Sequence, residues 1–279
     1  MREKLNIRAE LHGWVWTAHD STLVGGSQRP PHTHQELEMN LVTAGQGRYL
    51  ISGTLYNLVP GTLLWLFPRQ PHVLARHTAD FEMIVAVFRP GIVMRSCRSG
   101  TSSCLKKNRP ENVMNRTLNS RSRERLSALC EEVIAASTDP VWFNAGIAFL
   151  LRQCWSAFES SNDEPPRKVV HPAVDQAVTR LSNETEGLSL PILSQQCGLS
   201  YSRLCRVFKD QIGMSLLEFR DMRRLDNFRR LYGSGQNRTM LDCALEAGFG
   251  SYAQFYRIFK KHLAISPCKY RRSQYPGLN

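Results

Sequence analysis

Four side chains in the first third of the chain have the types and spacing that chemistry requires. His32 and His34 flank a single residue, Glu38 follows after three intervening residues, and His72 lies further along. Side chains of a strand alternate between its faces, so His32 and His34 share one side. If the fold brings His72 opposite that pair, three imidazoles and a carboxylate form a donor set suited to Fe, Mn, Ni or Zn. The same groups can instead hydrogen-bond a polar small molecule directly, with Glu38 favouring hydroxyl donors, or simply pack. Trp14, Trp16 and Trp65 are aromatic surfaces on which a sugar ring could stack, although packing in the barrel is the default reading. Trp16 joins the four as a ligand-binding candidate.

The elements that must position these groups read as strands. Trp14, Trp16 and Ala18 alternate onto one face, and Leu37, Met39 and Leu41 alternate with Glu38, Asn40 and Val42. Gly45-Gln46-Gly47, Gly53 and Pro60-Gly61 break the chain, and Leu63–Phe67 and Met83–Phe88 are continuous apolar runs. Short strands at near-regular spacing indicate a β-barrel or sandwich over residues 5–94. Gly26, His32, His34, Glu38 and Gly45 stand at the spacings of the first motif of the cupin barrel. Gly61 and His72 retain part of the second, with Phe67 and Arg69 where that family usually has proline and glycine. The resemblance implies a cupin-like barrel with the four site residues at one end.

Charge points to a different partner. The formal net charge is +12 and the pI about 9.6, which favours a polyanion. Residues 171–279 carry 16 Lys/Arg against 9 Asp/Glu, whereas residues 1–94 carry 8 against 7. A further basic excess, 9 against 2, lies in residues 95–126. The basic C-terminal part also contains a repeat. CGLSYSRLCRVFKDQIGMS, from Cys197, aligns with AGFGSYAQFYRIFKKHLAIS, from Ala247. Leu204 matches Phe255, Arg206 matches Arg257, and Phe208-Lys209 match Phe259-Lys260. Each copy is a tight turn delivering a basic amphipathic helix, as a helix-turn-helix presents to a major groove.

The last hundred residues resemble the DNA-binding domain of AraC/XylS-type transcription regulators. The motif residues are Gly248-Phe249, Ser251, Phe255, Arg257 to Lys260, Ser266-Pro267 and Tyr270-Arg271; Ala264 stands where the family usually has glycine. The resemblance implies recognition helices at 201–211 and 252–262. Base-reading candidates are Ser202, Arg203, Cys205 and Arg206 in the first, and Tyr252, Ala253, Tyr256 and Arg257 in the second. A guanidinium can grip guanine O6 and N7 with two bonds, which favours Arg206 and Arg257; phosphate contact is the alternative. Leu204, Phe208, Phe255 and Phe259 are expected in the core. Arg223, Arg224, Arg229 and Arg230 are expected on the solvated face of a long helix. Ser215 with Glu218 forms a capping box for that helix, and Thr239 with Asp242 repeats the signature before Met240.

The resulting architecture is α+β with two domains: a cupin-like effector-binding barrel and connector (1–120), a helical pair (121–160), a linker (161–170) and an all-α double helix-turn-helix domain (171–279). Residues 95–120 are polar and read as a connector. Leu126, Leu129, Cys130, Val133 and Ile134, then Trp142 to Phe158, form two apolar helical stripes. In the family such a pair makes the dimer surface; core packing is the other reading. Eight cysteines include no CxxC pair, and Cys97 with Cys104 read as loop thiols rather than a redox pair. MREKLNIRAEL is charged without an apolar run, so no signal peptide and a cytoplasmic location are expected.

The expectation is therefore a ligand-responsive regulator and not an enzyme, with no catalytic residues. Its implied partners are double-stranded promoter DNA, a small-molecule effector, a second copy of the chain and RNA polymerase, the last consistent with an activator. No certain cofactor is implied, and no membrane; a divalent metal in the barrel stays open. The competing class is a cupin enzyme with a fused DNA-binding tail, but no nucleophile elbow or phosphate-binding glycine loop supports it.

Overall fold

The computed structural model describes residues 5, 7–19, 33–98, 100–107, 114–163, 167–182, 188–232, 238–263 and 265–274. They divide into two compact units between Val169 and Val170.

The first unit is built on antiparallel strands: β1 (Gly13–His19), β2 (Leu37–Ala44), β3 (Gly47–Ile51), β4 (Thr54–Leu58), β5 (Thr62–Leu66), β6 (His72–His77) and β7 (Glu82–Phe88). Further along come β8 (Met114–Thr117) and β9 (Arg167–Val169). One sheet has the order β1-β7-β2-β5-β8, the other β6-β3-β4-β9. Among the described residues no strand pairing joins the two sheets. The period-two pattern of β2 sorts its side chains. Leu37, Met39 and Leu41 join Leu63, Trp65, Ile84, Ala86 and Phe88 in a core shared with the helices, while Glu38, Asn40 and Val42 take the opposite face.

Three helices cover that core: α1 (Pro90–Ser96), α2 (Ser120–Ala135) and α3 (Pro140–Glu159). Their starts follow from caps in the sequence. The Asn119 side chain accepts from Ser122 N at 2.8 Å, and Asp139 accepts from Val141 N at 2.9 Å with Pro140 at the first helical position. α3 contributes Phe143, Ile147, Leu150, Leu151, Cys154, Trp155 and Phe158 to the core. Gly13 is required where β1 meets α3, because a Cβ there would stand 2.5 Å from Ile147 Cδ1.

Three local expectations are corrected here. The stretch 95–120 is not a featureless connector. It contains a 3₁₀ turn (Thr101–Lys106) and β8, which pairs with β5 through Leu64 opposite Asn115, and it buries Cys97 and Leu105. Few apolar residues suffice there, because β8 takes its order from the edge of a finished sheet. The segment 161–170 contains β9, paired with β4. Trp65, offered as a stacking surface, lies on the helix side of its sheet, with its ring centroid 6.3 Å from that of Trp155 and 6.2 Å from that of Phe88.

The second unit is helical: α4 (Pro172–Ser182), α5 (Leu190–Gln196), α6 (Tyr201–Ile212), α7 (Leu216–Tyr232), α8 (Met240–Glu246), α9 (Tyr252–Leu263) and α10 (Pro267–Gln274). The repeat is visible in the hydrogen bonds. Gly198 N donates to Gln195 O and Leu199 N to Ser194 O; Gly248 N donates to Leu245 O and Phe249 N to Ala244 O. Both glycines hold positive φ, +72° and +93°, the left-handed turn that ends a helix. The extra residue Gly250 then shifts the second recognition helix by one position. The capping box is present, with Ser215 N donating to Glu218 Oε2 at 2.9 Å and Glu218 N to Ser215 Oγ at 3.1 Å. A solvated face for Arg223 and Arg224 is wrong: both are buried, Arg223 with its guanidinium over the Phe219 ring, 5.2 Å from the centroid. The Arg224 stem lies against the turn at Gly248, which a pattern of charges does not reveal.

Candidate functional site

The polar group at the centre of the first unit is assembled from three elements. Glu38 comes from β2, His72 from the start of β6, and His34 from the segment before β2, held by Arg69 N donating to His34 O at 2.9 Å. Arg69 has φ +63°, so it adopts the left-handed backbone of a position where the cupin family usually has glycine. The His34 and His72 rings meet edge to face at 5.3 Å, and Tyr49 of β3 packs against His72 at 6.1 Å.

The hydrogen bonds fix the chemistry. Backbone carbonyls only accept, so His34 Nδ1–H donates to Glu36 O and His72 Nδ1–H to Gln70 O, each at 2.9 Å. Both Nε2 atoms therefore turn to the Glu38 carboxylate, His34 Nε2 at 2.9 Å and His72 Nε2 at 4.0 Å from Oε2. Asn40 Nδ2 donates to the other oxygen, Glu38 Oε1, at 2.8 Å. Burial by itself lowers the His34 pKa, but the hydrogen bond and charge of Glu38 outweigh it and hold the pKa above the ordinary value. The donor set also fits a divalent transition metal. His34, Glu38 and His72 each present a ligand atom within 4.8 Å of the others, and each histidine is oriented by a carbonyl on its far nitrogen. His32 lies outside the described residues.

Register extends the site across the large sheet. Trp16, Val85, Asn40, Leu64 and Asn115 lie opposite one another on successive strands, and Trp14, Val87, Glu38 and Leu66 form the neighbouring row. Directly paired residues put their side chains on one face, so both rows share the face of Glu38. Trp16 is half-buried and stacks on the more exposed Trp14 at 4.4 Å. Asn40 and Asn115 were not among the sequence candidates. Asn40 was legible, two residues from Glu38 on the same strand face; Asn115 was hidden in a segment without strand character.

In the second unit the two recognition helices bury Leu204, Phe208 and Ile212 in one case, and Phe255, Ile258 and Phe259 in the other. Ser202, Arg203, Arg206, Tyr252, Ala253, Tyr256 and Arg257 are exposed together on the opposite faces. Cys205 is half-buried and hydrogen-bonded to the Tyr201 side chain. α7 carries both helices: Phe219 meets Phe208 at 5.4 Å, and Phe228 meets Phe255 at 4.4 Å. The N-termini differ. Gln254 N donates to Ser251 Oγ at 3.2 Å and Gly250 N to Gln254 Oε1 at 2.9 Å, whereas Ser200 makes no side-chain cap.

Comparison with known proteins agrees with both halves. Residues 24–145 match the AraC-like ligand binding domain, and residues 193–273 match a helix-turn-helix domain. Over 88 residues, 32% of this chain and 71% of the relative, it is 38% identical to the probable transcription factor PqrA of Proteus vulgaris. The chain belongs to the AraC family of transcription regulators. The activator AarP of Providencia stuartii is 36% identical over 91 residues, 33% of this chain and 67% of that one. ToxT from Vibrio cholerae, solved with an unsaturated fatty acid bound, is 10% identical over 94% of this chain and 92% of its own, with a TM-score of 0.36. By its two matched domains and the relatives PqrA and AarP, the chain is a transcription regulator with a helix-turn-helix domain and an N-terminal ligand-binding domain, not an enzyme. No described helix is long and apolar enough to cross a membrane.

Proposed function

We propose that this AraC-family protein is a cytoplasmic, effector-controlled regulator that reads its promoter through α6 and α9. The effector is a small polar molecule, a sugar being the leading class, held at His34, Glu38 and His72 with Trp16 beside them. The observation that carries this reading is the burial of two histidines and a carboxylate as one connected group. Such a group costs stability in a purely structural core, and is offset where it holds a ligand. A divalent metal on the same three side chains would anchor a ligand oxygen, and His32 would supply a further imidazole.

On DNA, Arg206 and Arg257 read bases, while Ser202, Arg203, Tyr252, Ala253 and Tyr256 complete the two contact surfaces. Cys205, tied to Tyr201, plays the smallest part. The chain acts as a homodimer through residues 122–160 and activates by recruiting RNA polymerase.

A promoter–reporter strain tests the reading. His34→Ala should abolish the response to effector while gel shifts with the full chain still show specific operator binding. A normal response from His34→Ala would remove the effector from this site.

A further inference from the structure

Five polar side chains sit between the sheets of the first unit, and two of them are incompletely used. His34, Glu38, Asn40, His72 and Asn115 are all buried. Because Asn40 Nδ2 is committed to Glu38 Oε1, its Oδ1 is held facing away from the carboxylate. That Oδ1 atom and Asn115 Nδ2 are buried with no hydrogen-bond partner, although Asn40 is 1% and Asn115 3% exposed. The two amides stand in one cross-strand row, separated by Leu64 and continued past Val85 to Trp16.

A single water does not resolve this arrangement. A buried water needs about three partners, and the direct cross-strand neighbours of these amides are Leu64 and Val85. A larger molecule that donates at one end of the row and accepts at the other does. The charge it can carry is also limited. Among the described residues, the buried polar groups of the first unit include the Glu38 carboxylate but no lysine or arginine. The cationic partner of Glu38 is His34, and the two are already bonded to each other. An anion would therefore meet the carboxylate with no buried lysine or arginine among the described residues of the first unit to receive it, and a cation would find Glu38 already bonded to His34 and Asn40.

We propose that Asn40 and Asn115 are specificity-determining residues that select an uncharged, hydroxyl-rich effector and reject carboxylates. One hydroxyl donates to Asn40 Oδ1, another accepts from Asn115 Nδ2, and the face of Trp16 covers the apolar side of the molecule. The inference rests on the reading that the effector occupies the space beside His34, Glu38 and His72.

The test is a titration of the full chain, followed by tryptophan fluorescence and calorimetry, with two sets of probes. One set is neutral pentoses, hexoses and hexitols; the other is the matching aldonates and medium-chain fatty acids. At least one neutral probe should bind and no anion should. Asn115→Leu should weaken the bound probe about tenfold or more, the loss expected for one buried hydrogen bond with its partner left unpaired. The ligand-free Asn115→Leu protein should melt no lower than the parent, because the Nδ2 group it removes is buried with no partner to lose. Binding by anions alone, no neutral binder, or unchanged affinity in Asn115→Leu would each overturn the proposal. So would a marked fall in its melting temperature. His34→Ala separates the two readings. If it binds normally while Asn115→Leu does not, the amide selection stands and the histidine site falls; the reverse result leaves the histidine site and removes the amides.

Discussion

The Arg224 side chain lies over Gly248, its Nε 3.3 Å from the point where a Cβ on that glycine would stand. Gly248 holds φ +93° in the turn before α9, and Gly198 holds φ +72° in the matching turn before α6 with open space around it. Two alanine substitutions therefore separate backbone strain from packing. Gly198→Ala should cost about 1 kcal/mol, from the left-handed backbone alone. Gly248→Ala should cost roughly 2–3 kcal/mol, since Arg224 must also give way under a closed turn. Urea unfolding of the full chain measures both. Equal costs would mean that Arg224 moves aside freely.

The buried position of Arg224 also marks what the sequence left unread. Helices with end signals were legible: Ser215 with Glu218, and Thr239 with Asp242, each cap where their residue types indicate. The repeat placed both recognition helices because Leu204, Phe208, Phe255 and Phe259 recur at helical spacing and are buried. Tertiary effects were not legible. Arg223 and Arg224 follow the charge pattern of a solvated face, yet both are buried, Arg224 against Gly248, a neighbour distant in sequence. β8 depends on an edge supplied by β5, so nothing in MNRT announces it. In the proposed effector site Glu38 and His72 followed from spacing, whereas Asn115 required the strand register.

Arg206 and Arg257 are exposed on corresponding faces of α6 and α9, which one helix, α7, holds together. Replacing either with alanine should cost roughly 1–3 kcal/mol on the correct operator and relax preference at one position. The two positions should lie about one helical turn of DNA, roughly 34 Å, apart. Affinity should also fall steeply with salt as phosphate contacts release counterions. Equal weakening on every sequence, measured by competition gel shifts, would reassign both arginines to phosphates.

On α3, Trp142, Ala145, Phe149 and Arg152 are exposed at helical spacing while the opposite face fills the core. Trp142 is 71% and Phe149 53% exposed, a stripe that a second copy of the helix would cover. Trp142→Glu should convert a dimer of the full chain into a monomer with little loss of stability, since the ring makes no core contact. Sedimentation at micromolar concentration decides it; a parent that is already monomeric removes the interface.

His262 on α9 offers a pH test of the second unit. Burial pushes its pKa below 6.5, Lys261 adds to that, and the nearby Asp221 and Glu218 only partly oppose it. The folded state therefore resists the proton that the unfolded chain accepts near pH 6.5. This contribution to stability is intact above that pH and is lost as pH falls towards the depressed folded pKa. Unfolding of the full chain between pH 7.5 and about 5.5 should show a decline that His262→Gln flattens. A steeper decline in the variant would reverse the sign assigned to His262.

The last prediction concerns what lies between His34 Nε2 and Glu38 Oε2, 2.9 Å apart. His34 Nδ1 already donates its hydrogen to Glu36 O, so a neutral ring would bring a lone pair against a carboxylate oxygen. Two occupants remove that repulsion. A proton makes His34 an imidazolium, the form that Glu38 favours. A divalent transition metal takes both lone pairs, with His72 Nε2 as a third ligand. Added Ni²⁺ or Zn²⁺ should raise the melting temperature of the full chain, by an amount corresponding to about 2.7 kcal/mol at a hundredfold excess over Kd. Glu38→Gln should remove the rise, because the amide keeps the shape but loses the charge, whereas Glu36→Gln should leave it intact. Elemental analysis of protein purified without chelator gives the resting occupant. No stabilisation by any added divalent metal, with no metal retained on purification, would leave the imidazolium as the occupant and the effector bound directly by the side chains.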